Sequence, residues 1–215
     1  MPRLAQMRFS DRDDAGDRLG ARLRAESIGD PVVVGMARGG IPVAARVAAA
    51  LGAPLDIVEV QKIGAPGQAE LAIGAIAEPD VVIADRAAVE GMGVGSAEFE
   101  RLIDLARDAL ARKSDAHGAR THLPLAGRTA ILVDDGLATG LSARAAARSL
   151  RVRGAARVIL AVPVCAPQAV RELERDIDRV ISLVFPRSLV AVGLWYDDFR
   201  ATSDAEIAAL LAEAA

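Results

Sequence analysis

Two adjacent aspartates, Asp134 and Asp135, end the apolar run Ile131-Leu132-Val133 and lead into Gly136-Leu137-Ala138-Thr139-Gly140-Leu141-Ser142. Such a run reads as a buried strand, so both carboxylates sit at its carboxyl end. Like charges that close repel and raise one another's pKa, so the pair is best tolerated beside a cation or hydrogen-bond donors. The small-residue turn after it enters a helix, where free backbone N–H groups and the Thr139 and Ser142 hydroxyls form a cradle for a phosphate. An N-cap and a tight turn without any ligand would use the same residues. A second candidate is Ala37-Arg38-Gly39-Gly40, which follows the apolar run Pro31–Met36. Its glycines let a backbone turn sharply and approach a ligand closely. Lys62 is the third, because 24 of the 26 basic residues are arginine and only Lys62 and Lys113 are lysine. Taken alone, Arg38 reads as a solvated loop residue and Lys62 as a snorkelling surface lysine.

These residues need elements to hold them. Continuous apolar runs at 31–36, 129–133 and 157–164 alternate with helical patterns at 40–51 and 141–153, the first with Pro42 in its opening turn and Gly52 at its stop, the second closed by Gly154. That alternation predicts an α/β fold, a Rossmann-like parallel sheet covered by helices on both faces. Ligands bind such sheets outside the carboxyl ends of the strands, where strand order reverses. A Ser-x-x-Asp box at Ser10 predicts a first helix to Ala25, and Ser203-x-x-Glu206 boxes a last one. The stretch 71–84 predicts a hairpin turning at Pro79-Asp80, and 179–185 and 189–195 predict two strands. Between Asp85 and Gly127 the pattern changes to a long helix with an apolar stripe at Phe99, Leu102, Ile103, Ala106, Ala109 and Leu110. Its polar tail, residues 113–122, is expected to be mobile. The chain is therefore read as a single domain over 1–215, with an inserted hood at about 78–125.

Composition narrows the classes. With 215 residues, 52% hydrophobic, 26% charged and a net charge of -3, the chain has a core of its own and lacks the basic excess of a nucleic-acid-binding surface. One cysteine, Cys165, excludes an internal disulfide framework and reads as a buried apolar side chain in a cytoplasmic protein. No apolar run approaches the roughly 20 residues that span a bilayer, so no membrane partner is expected.

The ordered string from Ile131 to Ser142 resembles the phosphoribosyl pyrophosphate (PRPP) signature of type I phosphoribosyltransferases. The segments 35–67 and 190–199 are similar to the bacterial branch of that family, so the resemblance covers nearly the whole chain. It implies a Mg²⁺-dependent transfer of the 5-phosphoribosyl group from PRPP to a nitrogenous base or small amine, with release of pyrophosphate. By the same resemblance Ala37, Arg38, Gly39 and Gly40 bind pyrophosphate together with Lys62. Asp134 and Asp135 receive the ribose hydroxyls and, through ribose or water, the metal, and Ala138, Thr139, Gly140, Leu141 and Ser142 hold the 5′-phosphate. Arg38, Lys62, Asp134 and Asp135 are the catalytic set, Phe185 and Trp195 border the nucleobase-like acceptor, and a homodimer is the family-level expectation.

Two positions depart from the family. Ala138 stands where the hypoxanthine-guanine branch carries an aspartate, which removes a carboxylate from general-base work. Ala116-His117 stands where relatives of the bacterial group carry Tyr-Arg, which touches loop closure. Two other readings accompany the enzyme: a PRPP-binding regulatory module with little or no turnover, and a phosphate-binding α/β domain of other chemistry. His117 and His122 read as solvent-exposed loop residues, with a role in loop closure open to His117.

Overall fold

In the computed structural model, residues 8–116 and 122–214 are described; the expectations for His117 and for the middle of the polar tail lie outside them. Five parallel strands, β1 (Pro31–Met36), β2 (Leu55–Val58), β6 (Thr129–Val133), β7 (Arg157–Val164) and β8 (Arg179–Val184), lie in the order β2-β1-β6-β7-β8. Val33 pairs with Leu55 on one side and Ile131 on the other, and Ile131 pairs with Ile159. Chain order runs outward from the centre in both directions. Strand order therefore reverses between β1 and β6, and the carboxyl ends of these two strands form the crevice expected for a ligand.

Both faces of the sheet are buried, which is why its strands are apolar without alternation. Val33, Ile131, Val133 and Ile159 face α1 (Arg12–Arg24), α2 (Gly40–Leu51) and α7 (Asp204–Glu213), which contribute Leu19, Leu23, Val47 and Ile207. Val32, Val34, Leu132, Val158 and Leu160 face α5 (Leu141–Val152) and α6 (Pro167–Leu173). Along α5, Ala143, Ala146 and Ala147 are fully buried, and their small side chains let that helix lie close to the strands.

A second sheet, antiparallel, is built from β3 (Val60–Ala65), β4 (Gln68–Ala77) and β5 (Val81–Ala84). The predicted hairpin at Pro79-Asp80 is its β4–β5 turn. This sheet begins at Val60, well ahead of position 78, because the chain leaves the parallel sheet at Glu59 and carries Lys62 into the new one. The short helix α3 (Arg86–Gly91) follows, and α4 (Ser96–Ala116) then buries Ile103, Ala106 and Leu110 on Ile63, Ile73 and Ile76.

Two local expectations are corrected. The N-cap of α1 is Asp11, whose side chain accepts the Asp14 N–H, while the Ser10 N–H donates to the Asp14 carboxylate. The apolar stretch 189–195 forms no strand. It crosses the strand ends with Val190 and Leu194 exposed and closes in a 3-10 turn at Val192–Trp195. The capping box at Ser203 and the stop at Gly52, in the left-handed region, occur as predicted. Among the described residues no helix is long and apolar enough to cross a membrane.

Candidate active site

Strands β1 and β6 bring the two predicted loops into contact. The 37–40 turn lies on the end of β6 so closely that a Cβ at Gly40 would come within 2.5 Å of the Val133 carbonyl. A Cβ at Gly39 would come within 2.2 Å of Asp135 Oδ2. Both glycines are thus required by packing against the acidic pair itself, whatever ligand follows.

Asp134 and Asp135 stand side by side at the switch point. The Asp135 N–H donates to Asp134 Oδ1 at 2.9 Å. Burial pushes the Asp134 carboxyl well above its ordinary range, and the neighbouring Asp135 charge pushes it further, against a pull from Arg12 and Lys62. Burial also raises Asp135, opposed by Arg12. Neither Asp134 Oδ2 nor Asp135 Oδ1 accepts a hydrogen bond from the described residues. The pair is short of compensating donors, and a ligand bearing hydroxyls or a cation would supply them.

Beyond the pair, the chain turns into α5. The turn is set by a bridge to the next strand, with the Leu137 N–H donating to the Val164 carbonyl at 2.9 Å and the Ala166 N–H to the Leu137 carbonyl at 2.8 Å. Gly140 caps the helix at φ 92°, a left-handed value that glycine adopts without strain. Ala138 and Thr139 are exposed, and Leu141 and Ser142 half-buried. The turn therefore offers its backbone N–H groups and hydroxyls to a crevice that solvent reaches.

The two predicted cations are placed differently, Lys62 toward this centre and Arg38 toward α7. Lys62 is exposed on β3, its charge felt at Asp134. It opens, with Thr139, Leu141 and Arg144, onto a groove of about 1150 Å³ between α5 and the second sheet. Arg38 reaches out to Asp204 at the start of α7, 3.5 Å away. A smaller cavity of about 400 Å³ beside Arg38 is lined also by Glu59, Arg112 and Lys113 from the end of α4. Phe185 is half exposed at the end of β8. Trp195 packs partly on the Phe9–Tyr196 cluster, and its carbonyl accepts the Phe9 N–H.

Sequence reasoning missed Arg12. Its Nε and Nη2 both donate to Asp135 Oδ2, at 2.9 and 2.7 Å, across 123 positions of sequence. One sign was available: a cation in the first turn of a helix faces the positive end of the dipole, so its placement asks for a nearby anion. Tyr196 is buried and donates its hydroxyl to the Asp135 carbonyl at 2.6 Å. His122 also departs from its reading. It lies between Asp56, at 3.3 Å, and Glu78, at 3.1 Å, and these two carboxylates raise its pKa to about 9. Cys165 is buried as expected, its thiol raised to about 11 by burial.

The metal question turns on the same oxygens. Among the described residues no group of three or more potential ligands comes together. Two adjacent carboxylates with free oxygens suit Mg²⁺, which keeps several waters and takes few protein ligands when a phosphorylated substrate supplies the rest.

Comparison with known proteins gives a consistent answer. The sequence model of the family described as "Phosphoribosyl transferase domain" matches residues 12–197. A protein of Mycobacterium tuberculosis strain H37Rv named "Putative phosphoribosyl transferase" is 42% identical over 208 residues, which cover 94% of this chain and 46% of that protein. The chain thus spans about half the length of the curated relatives it matches. The crystal structure of TT1426 from Thermus thermophilus is 38% identical, with a TM-score of 0.82 over 97% of this chain and 100% of that one. A hypothetical protein from Neisseria gonorrhoeae, solved with bound ppGpp, shares the fold at 13% identity, with a TM-score of 0.52 over 99% of both chains.

Proposed function

The chain belongs to the phosphoribosyl transferase domain family, and from that premise we propose that it is a transferase that moves the 5-phosphoribosyl group of PRPP, as its Mg²⁺ complex, to a nitrogenous base or small amine. The observation that carries the reading is the meeting, at one strand-order switch point, of an under-compensated acidic pair, an amide-lined turn and a glycine turn with cations beside it. Those three parts match the three charged or hydroxylated ends of PRPP.

In the reaction the C1–O bond to pyrophosphate breaks and a C1–N bond forms, through a transition state with positive charge on the sugar and growing negative charge on the leaving group. Asp134 and Asp135 accept the two ribose hydroxyls and their charge favours the cationic sugar. The backbone N–H groups from Ala138 to Ser142, with the Thr139 and Ser142 hydroxyls, hold the 5′-phosphate at the start of α5. Arg38 and Lys62 offset the charge that collects on pyrophosphate, and the glycine backbone of 37–40 receives it at close range. Asp134 and Asp135 would hold Mg²⁺ through ribose or water, and the ion would supply positive charge against the pyrophosphate leaving group. Ala138 supplies no carboxylate, so the proton on the attacking nitrogen passes to solvent or to the leaving group. Phe185 and Trp195 border the acceptor in this proposal, the chain works as a cytoplasmic homodimer, and the region 78–125 of the single domain excludes water as a hood.

Calorimetric titration with Mg·PRPP, followed by pyrophosphate release across a panel of bases, tests the reading. Binding with release on at least one base is expected. Binding without release across the panel favours the regulatory module, and no binding of Mg·PRPP refutes the site.

A further inference from the structure

We infer that Arg12 is a positioning residue for the sugar site, a clamp that holds Asp135 so that a single, fixed oxygen faces the ribose diol. The inference rests on the reading of Asp134 and Asp135 as the diol-binding pair.

Arg12 opens α1 and is tied down on every side. Nε and Nη2 converge on Asp135 Oδ2, at 2.9 and 2.7 Å, and Nη1 donates to the Arg200 carbonyl at 2.7 Å. The guanidinium carbon lies 4.0 Å over the Phe199 ring. Only 12% of the Arg12 side chain and 14% of the Asp135 side chain meet solvent, so the pair is held where water competes weakly. Every guanidinium nitrogen is already engaged, which makes Arg12 a holder of Asp135 more than a grip on the ligand.

The direction of the hold is the functional point. A carboxylate has two oxygens and about four lone-pair sites. Because both Arg12 donors use Oδ2, Oδ1 is left without a partner among the described residues. A sugar hydroxyl would find that oxygen already oriented, and no side-chain freedom would need to be frozen on binding. The Tyr196 hydroxyl fixes the Asp135 carbonyl at 2.6 Å, so backbone and side chain are held separately. Nη2 also lies against the 37–40 turn, 3.4 Å from where a Cβ on Gly39 would be. The clamp thus registers the acidic pair against the glycine turn, joining segments near both ends of the chain to its centre.

A test needs Arg12→Gln, Arg12→Lys, Asp135→Asn and the double variant Arg12→Gln with Asp135→Asn, each titrated with Mg·PRPP by calorimetry after circular dichroism shows it folded at that temperature. Arg12→Gln is expected to weaken binding about 10- to 100-fold, the usual cost of removing a partner that orients a working ligand group. Arg12→Lys, which keeps the charge and loses the planar fork, should recover part of that loss. The double variant should bind no more weakly than Asp135→Asn alone, because Arg12 would have nothing left to hold. Arg12→Gln binding like the parent, or losses that multiply in the double variant, would overturn the inference. A parent that binds no Mg·PRPP would overturn the function reading as well, so the two failures are distinct.

Discussion

Gly39→Ala tests the geometry of the centre with one methyl group. Gly39 has φ -62° and ψ -29°, ordinary right-handed values that alanine adopts freely, so no backbone strain enters. The whole effect is steric. The new Cβ would stand 2.2 Å from Asp135 Oδ2, 2.9 Å from its Cγ and 3.4 Å from Arg12 Nη2. The oxygen contact is roughly an ångström short of an ordinary one, so the 37–40 turn or the Asp135 carboxylate must move by about that much. Overpacking of this kind costs about 1–3 kcal/mol of stability. Displacing a working group by about 1 Å costs on the order of 100-fold in function. The assay is paired: chemical denaturation for stability and calorimetric titration with Mg·PRPP for the site. Gly95→Ala is the control, since nothing lies within 4 Å of its Cβ, and both readings should stay at the parent value. Gly39→Ala that titrates like the parent would refute the claim that the turn and the acidic pair form one rigid contact.

Three further outcomes follow from the same structure. Burial and the Asp135 charge raise the Asp134 pKa in the folded chain, so its ionised form opposes folding at neutral pH; Asp134→Asn should raise the unfolding free energy at pH 7 by about 0.5–2 kcal/mol and abolish Mg·PRPP binding, and a drop in stability would contradict this. His122 is raised to about 9, so its contribution is full below its ordinary value near 6.5 and is lost as pH climbs through 9. The shift alone would represent about 3 kcal/mol, reduced to about 1–2 kcal/mol for a side chain one-third exposed. Denaturation curves of His122→Gln should be correspondingly flatter between pH 6.5 and 9, while the acid-side loss from Asp56, which Arg153 also holds below the usual carboxylate range, persists as pH falls below about 4 and that from Glu78, held down chiefly by His122, shrinks; equal alkaline slopes would count against the ion triad. Gly140→Ala forces a side chain to φ 92° at a cost of about 1–2 kcal/mol and should weaken binding of inorganic phosphate, read by calorimetry; unchanged phosphate affinity would remove the 140 turn from the site.

Local chemistry made most of the architecture legible. The runs at 31–36, 129–133 and 157–164 are apolar on both faces because each strand is covered twice, and that pattern declares a parallel sheet before any contact is known. Gly52, the capping box at Ser203 and the Pro79-Asp80 turn act within a few residues of themselves, so their positions could be read directly. The Asp134–Ser142 string was legible for the same reason. Strand end, carboxylates and helix start are consecutive, and their relative placement follows from one turn of backbone.

Where pairing is distant, sequence was silent or misleading. The apolar stretch 189–195 has strand composition, yet it pairs with no strand and closes in a 3-10 turn with Val190 and Leu194 in solvent. His122 stands in a polar stretch and looks solvated until the fold brings Asp56 and Glu78 to it. Arg12 lies in an acidic run with Asp11, Asp13 and Asp14 beside it, so nothing local says that its partner is Asp135. Local geometry decided which groups stand together at the end of β6; only the tertiary structure decided which oxygen of Asp135 is taken by Arg12 and which is left open, because hydrogen-bond partners 123 residues apart are chosen by the packing of α1 and the 196–200 segment over the sheet.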